Sequence, residues 1–327
     1  MEGEKMFIDS KVKVDSKDME SCRRFSQTTY WQRECEELFD DAFSLDLPYA
    51  PPGMYQHLGK NELKWHYDWL SHTVGNDWKW ENIKALGTDH EGIFWVFRSG
   101  AGSVCWGGKE GWYESKFATL LQIQDGRITY AKDHFDPMGF YKAVGVELPK
   151  FYYDAKPPEG FSEAVNLCRI PGTEESLQRQ IKETLDFFVH PDYWNPKVKD
   201  VLAEDFVHEL TFAPADMPRV YRGRAYDALN EWLDRHLKGG EIYDELFYQT
   251  TDPHIYITEY NCLFETDWGY TKEQINAGAH GRYPNREISY IELDDQGRCR
   301  RLDEYLNTMS KFLSINASIP TFPYMFY

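Results

Sequence analysis

Apolar positions change period along this chain, and the change occurs twice. Over residues 19–41 they fall at helical spacing, and a short alternating stretch over 42–48 follows the acidic end of that segment. The turn Ala50-Pro51-Pro52-Gly53 breaks the strand. Helical spacing returns over 61–72, where Leu63, Trp65/His66 and Trp69/Leu70 line one face. Beyond Asp77 the pattern becomes that of strands: 78–85, 92–99, 111–124 and 127–133 are rich in aromatic and β-branched residues. Asp125-Gly126 between the last two is a strong hairpin signal. The same order then recurs, with helix over 173–203, strand over 205–212, helix over 225–237, and strands near 242–250, 254–263, 284–293 and 297–305.

The recurrence is also literal. Residues 46–54 and 209–217 align at a spacing of 217 − 54 = 163, and Tyr30-Trp31, Phe43, Trp69-Leu70 and Asp89 fall on Tyr193-Trp194, Phe206, Trp232-Leu233 and Asp252 at the same spacing. Near the end the offset becomes 171: Gly126-Arg127 meets Gly297-Arg298 and Met138 meets Met309. A period of this length is a whole domain rather than a solenoid unit. Helices followed by a run of antiparallel strands give the α+β class. The expected architecture is two cones in tandem, each a curved antiparallel sheet wrapped round helices, paired as an intramolecular pseudo-dimer or through homo-oligomers. The expected boundaries are an arm over 1–17, repeat one over 18–150, a linker over 151–172, repeat two over 173–315 and a tail over 316–327.

Charge narrows the partners. Lys+Arg number 36 against Asp+Glu 54, a net charge of −18, a field that repels nucleic acid and anionic lipid. Residues 1–17 are polar without an apolar signal core, and no run of 18 apolar residues occurs, so a cytoplasmic protein with no membrane association is expected. The six cysteines are scattered without a CxxC and read as reduced thiols. Ser99-Gly100-Ala101-Gly102-Ser103 is a lone GxG expected in a strand-to-strand turn, with no helix behind it to cradle a phosphate. No P-loop, HExxH, GxSxG elbow or EF-hand pattern is found, so neither a cofactor nor a metal is expected. Eleven Trp, 22 Tyr and 20 Phe suffice both to fill two cores and to wall a cavity.

Several segments of repeat one carry a family resemblance: Trp69-Leu70, Asp77-Trp78-Lys79-Trp80-Glu81-Asn82, Phe94-Trp95-Val96 and Asp125-Gly126-Arg127-Ile128. The strongest is Lys132-Asp133-His134-Phe135-Asp136-Pro137, followed by Ala143-Val144-Gly145-Val146-Glu147-Leu148-Pro149. Together they resemble the SnoaL-like branch of the nuclear transport factor 2-like superfold, and within it the phenazine-biosynthesis A/B-type proteins. Repeat two fits the wider superfold. Its ending, Asp303-Glu304-Tyr305-Leu306-Asn307-Thr308, lacks the proline motif, and it has an insertion around 270–284. The resemblance implies small-molecule biosynthetic chemistry without metal or redox cofactor. It also implies an acidic residue on the last strand, inside the cavity, acting as general acid or base.

Asp133 and Glu304 (304 − 133 = 171) occupy that position. A carboxyl in an apolar cone has its charged form disfavoured and its pKa raised toward the range where it both donates and accepts; the competing reading is a solvated strand-end acid. Asp46 and Glu209 form a second equivalent pair on the first strand, although Leu45/Leu47 on either side of Asp46 favour an outward carboxyl. His134 points away from Asp133 on a regular strand, so one of the two is inside, and Tyr305 takes its place in repeat two. His57, after the Pro-rich turn, and His66, on the second helix, are the candidate relays. Arg98 and Arg222 are candidate anchors for a substrate carboxylate, and Trp69, Trp95, Trp232 and Tyr256 are candidate walls. The expected function is acid–base chemistry on a small aromatic or conjugated carbonyl compound: isomerisation, dehydration, cyclisation or condensation. A non-catalytic binding or scaffold protein is the alternative.

Overall fold

A computed structural model describes residues 12–156, 173–189 and 201–321. The chain divides into two compact units. The N-terminal one holds 13–149 with 307–312 and 317–321, and the C-terminal one holds 150–306 with 313–316. Residues 151–156, expected as linker, are thus part of the C-terminal unit.

In the N-terminal unit α1 (Ser16–Gln27) leads through two short 3-10 turns into β1 (Phe39–Asp46) and β2 (His57–Leu58). Then come α2 (Lys60–Thr73), β3 (Lys79–Gly87), β4 (Ile93–Trp106), β5 (Lys109–Gln124), β6 (Arg127–His134) and α3 (Pro137–Ala143). The C-terminal unit repeats the order with α4 (Glu174–Val189), β7 (Leu202–Leu210), β8 (Val220–Arg222), α5 (Arg224–His236), β9 (Leu237–Gln249), β10 (Ile255–Thr266), α6 (Lys272–Asn276), β11 (Gly281–Leu293) and β12 (Cys299–Tyr305). Helix α7 (Thr308–Ser314) closes the series.

The two six-stranded sheets have the same order, β2-β1-β6-β5-β4-β3 and β8-β7-β12-β11-β10-β9. This is the α+β tandem architecture that the patterning predicts, with one correction. The sheets are mixed, because β1 runs parallel to β6 and β7 parallel to β12. Alternation shows which side of a strand is apolar, but not which distant strand it pairs with or in which direction.

Three local expectations also change. The first helix ends at Gln27, because Thr28 is extended (φ −102°, ψ 158°) and Arg33 is left-handed (φ 61°). That break turns Tyr30 and Trp31 inward, where both are buried. The helix expected over 173–203 is described only as α4, and residues 202–203 already belong to β7. Tyr193 and Trp194 lie outside the described residues. The Gly100/Gly102 segment is not a turn but the middle of β4, and its glycines make room for Trp78. A Cβ on Gly100 would lie 2.3 Å from Trp78 Cζ2, and one on Gly102 would lie 2.8 Å from Trp78 Cα.

Asp125-Gly126 forms the expected hairpin, with φ of 53° and 75°, the paired positive values of a tight two-residue turn. Ser21 on α1 donates to the Gly126 carbonyl (2.8 Å), and Thr184 on α4 donates to that of Gly297 (2.7 Å). Each unit therefore pins its first helix on its last hairpin by the same contact, since 21 + 163 = 184. In the first unit Asp136 caps α3 through the Met138 amide, and Pro137 sits in the first turn. The described cysteines are free thiols, and Cys168 lies outside the described residues. No described helix is long and apolar enough to cross a membrane.

Candidate active site

A cavity of about 70 Å³ opens in the N-terminal unit, several times the roughly 10–15 Å³ that one water needs. Its walls are largely aromatic, with Tyr30, Trp31, Trp69, Trp78, Phe117 and Phe140 among them, and its titratable groups include Asp133 and His66. Each polar group arrives from a different element. Asp133 is on the inner face of β6, His66 is on the buried stripe of α2 with Leu63 and Trp69, and Tyr30 is on the 3-10 turn where α1 breaks.

Asp133 is 3% exposed and accepts a hydrogen bond from Thr119 Oγ1 at 2.6 Å. Burial pushes its carboxyl up to about 6, against the opposing pull of Arg98 and the Thr119 and Tyr30 hydroxyls. His66 lies against Trp69 at 6.1 Å between ring centroids, and burial takes its imidazole down to about 3, so it is neutral at ordinary pH. The indole Nε1 atoms of Trp31 and Trp78 are buried and make no hydrogen bond. The site therefore combines a carboxyl that titrates near neutrality, a neutral imidazole and two open N–H donors within aromatic walls.

Arg98 is neither a surface residue nor part of the cavity wall. It is 2% exposed, and its Nη1 donates to the carbonyls of Phe25, Ser26 and Thr28 at 3.3, 3.1 and 3.2 Å. Its guanidinium lies 3.7 Å from the centroid of the Trp80 ring. It ties off the end of α1 and sets the field at Asp133. Arg98→Met is expected to cost about 2–4 kcal/mol of stability in urea unfolding and to move the Asp133 carboxyl further up. Gly100→Ala is expected to drive Trp78 into the cavity, because the added Cβ overlaps the indole, and a shift in tryptophan fluorescence reads that displacement.

The remaining candidates are distributed elsewhere. His134 is as buried as Asp133, so the strand does not choose one of them for burial. It faces the other side, against Tyr49 and Trp95, with Nδ1 2.9 Å from the Ala118 carbonyl. Trp95 shares that face and stacks on Phe97, outside the cavity. Asp46 points outward to His57 Nδ1 (2.6 Å) and the Tyr130 hydroxyl (2.6 Å), and His57 is exposed, so neither joins Asp133. Glu209 is paired with Arg219 (3.0 Å) and Arg301 (2.9 Å) on the outward face of β7. Tyr305 projects from β12 opposite to Glu304 and packs on Phe212, and Arg222 is exposed. Tyr256 stacks on Phe247 and lines a separate crevice with Leu177, Ile181 and Asp252. Glu304 is buried and lies 2.8 Å from His208 Nε2. Trp232 is buried between Phe151, Tyr153 and Trp268.

Sequence reasoning passed over Tyr30, Trp31, Trp78, Thr119 and His208 as site residues. The Tyr-Trp pair repeated at 193–194 was a usable signal for the first two. His208, next to Glu209 on an alternating strand, was the inward residue once Glu209 is outward. Among the described residues no three His, Cys, Asp or Glu side chains gather closely enough to share a metal ion.

Residues 53–158 match the family described as Phenazine biosynthesis protein A/B. The match begins before β2 and runs past α3. Phenazine biosynthesis protein PhzB1 of Pseudomonas aeruginosa is 31% identical over 100 residues, which are 30% of this chain and 61% of that protein. Phenazine biosynthesis protein PhzB of Pseudomonas fluorescens is 32% identical over 92 residues, 28% of this chain and 56% of that protein. The chain thus spans about three fifths of the length of these curated relatives. Among solved structures, a phenazine biosynthesis-related protein of P. aeruginosa aligns with a TM-score of 0.37 and 25% identity, covering 43% of this chain and 94% of that one. A Catenulispora acidiphila protein with a ketosteroid isomerase-like fold aligns at 0.31 and 12%, covering 41% and 96%.

Proposed function

We propose that the N-terminal unit is an acid–base catalyst acting on a small, flat, conjugated carbonyl compound in secondary metabolism, by isomerisation, dehydration, cyclisation or condensation. One observation carries this reading: the carboxyl of Asp133 and the imidazole of His66, both buried, line one aromatic cavity, where burial pushes the carboxyl up to about 6 and the imidazole down to about 3. Near neutral pH Asp133 exists in both forms, the condition under which one group both takes and returns a proton. His66, neutral and far too weak a base to compete, donates a hydrogen bond to the substrate oxygen as charge develops on it. The Trp31 and Trp78 N–H groups add fixed donors for the same oxygen. The aromatic walls orient a planar substrate and exclude water. The similarity of residues 53–158 to phenazine biosynthesis proteins supports a biosynthetic role.

The test uses a generic enolisable probe, cyclohex-3-enone, whose conversion to the conjugated cyclohex-2-enone requires removal and return of one proton. Wild type is expected to accelerate the conversion, with Asp133→Asn at the buffer rate. Equal rates for wild type and Asp133→Asn would remove Asp133 from the chemistry.

A further inference from the structure

The C-terminal unit has its own polar interior, and its histidine comes from a different element. The counterpart of His66 is Leu229 (66 + 163 = 229), which is fully buried. The counterpart of Leu45 is His208 (45 + 163 = 208), on β7. One imidazole has gone from the helix, another has appeared on the strand, and the carboxyl it meets is Glu304, the counterpart of Asp133. His208 Nε2 and Glu304 Oε2 are 2.8 Å apart with side chains 3% and 4% exposed. With Glu304 as a carboxylate, which only accepts, Nε2 would carry the proton and leave Nδ1 as an acceptor. Nδ1 is buried and makes no hydrogen bond, and the same holds for Thr258 Oγ1. Thr258 pairs with Ser289 and Ser289 with Glu304 across β10, β11 and β12, so all three side chains leave the same face of the sheet. Buried polar atoms without a partner are costly, and such groups call for one.

A second observation concerns the ring packed against Trp232. The phenol ring of Tyr153 sits 4.9 Å from Trp232 and 6.5 Å from Tyr221, and Tyr221 is 5.9 Å from His208. Trp232 is the counterpart of Trp69, which walls the first cavity. The segment that delivers Tyr153 is anchored by its neighbours. The Phe151 amide donates to Asp216 (3.1 Å), the Tyr152 amide to the Gly269 carbonyl (3.1 Å), and the Phe151 ring is buried against Trp268. Tyr153 itself is only half-buried.

We propose that the interior of the C-terminal unit is a second binding site, for a small uncharged phenol or enol, and that Tyr153 closes its entrance as a built-in stand-in for that ligand. His208 Nδ1 accepts the ligand O–H, Thr258 satisfies its oxygen, and Glu304 holds the imidazole. Where the proton moves, the O–H bond breaks and an Nδ1–H bond forms, leaving an oxyanion beside an imidazolium paired with Glu304. A carboxylate ligand is disfavoured. The position of Arg98 is taken by Tyr260, two residues beyond Thr258 as Arg98 is beyond Val96, and a second buried carboxyl, Glu287, accepts from it.

The site is separate from that of the N-terminal unit and stands or falls separately. The probe is 4-nitrophenol, below its own ionisation range, with bound equivalents counted by equilibrium dialysis and ionisation read from absorbance. Tyr153→Ala is expected to bind one equivalent more than wild type, with a phenolate signal. Tyr153→Phe keeps the ring and should behave as wild type. Tyr153→Ala/His208→Leu should lose both the added equivalent and the signal. If Tyr153→Ala melts, Tyr153→Leu is read in its place. No added equivalent in either opened variant, or one indifferent to His208→Leu, would overturn the proposal.

Discussion

Asp133→Asn is expected to lower turnover by about 10²–10⁴-fold while making the protein more stable at neutral pH. The two effects have one cause. Burial raises the Asp133 carboxyl from 3.8 to about 6, so between those values the folded chain binds more protons than the unfolded chain. Stability is then greatest below pH 4 with respect to this group, and falls as pH rises through 6. Above that window, holding the ionised carboxylate in the cavity costs up to about 3 kcal/mol, since each pKa unit is about 1.4 kcal/mol. Asn keeps the shape and the Thr119 contact without the charge, and so escapes the cost. Urea unfolding at pH 5 and pH 7 checks it: the gain should be larger at the higher pH. A variant that is inactive and also less stable would mean that Asp133 is a structural group whose ionised form the fold favours.

His66 predicts the opposite slope. Its imidazole is lowered from 6.5 to about 3 by burial, so below pH 6.5 the unfolded chain binds a proton that the folded chain refuses. Stability from this group is intact above 6.5 and drains away as pH falls toward 3, by up to about 5 kcal/mol. His66→Leu, the residue found at the equivalent buried position 229, should flatten the acid side of the stability profile. Near pH 4.5 the difference from wild type amounts to roughly 3 kcal/mol, well resolved by urea midpoints. The same variant should slow turnover with little change in substrate affinity, because the imidazole acts on charge that appears in the transition state. An unchanged acid slope would show that His66 reaches solvent in the folded protein.

Much of the architecture was legible because it was written twice. The switch from helical to alternating spacing at Asp77, the Asp125-Gly126 turn and the 163-residue echo each fix an element without tertiary knowledge. What escaped detection depended on tertiary partners. The break at Thr28, which turns Tyr30 and Trp31 inward, carries no breaker residue, and the parallel pairing of β1 with β6 joins residues nearly ninety positions apart. Gly100 and Gly102 looked like a turn because their real reason, the Trp78 ring lying across β4, is a contact that local sequence does not carry. Within the site, Asp133 and His66 could be named from position and residue type. Arg98 could not be placed, since a guanidinium buried on helix-end carbonyls and an indole face looks the same in sequence as one on the surface. The outward face of Asp46 followed from the alternation of Leu45 and Leu47 that already argued against it, and Glu209 at the equivalent position shares that face.

The most direct test of the account is the titration of Asp133 itself. In protein labelled with ¹³C at aspartate carboxyls, the resonance that disappears in Asp133→Asn identifies the group. Its chemical shift is then followed from pH 3 to pH 8. The account predicts a midpoint near 6, moved by a bound flat ketone. A midpoint near the ordinary aspartate value, unmoved by ligand, would contradict it and leave the cavity without its acid–base group.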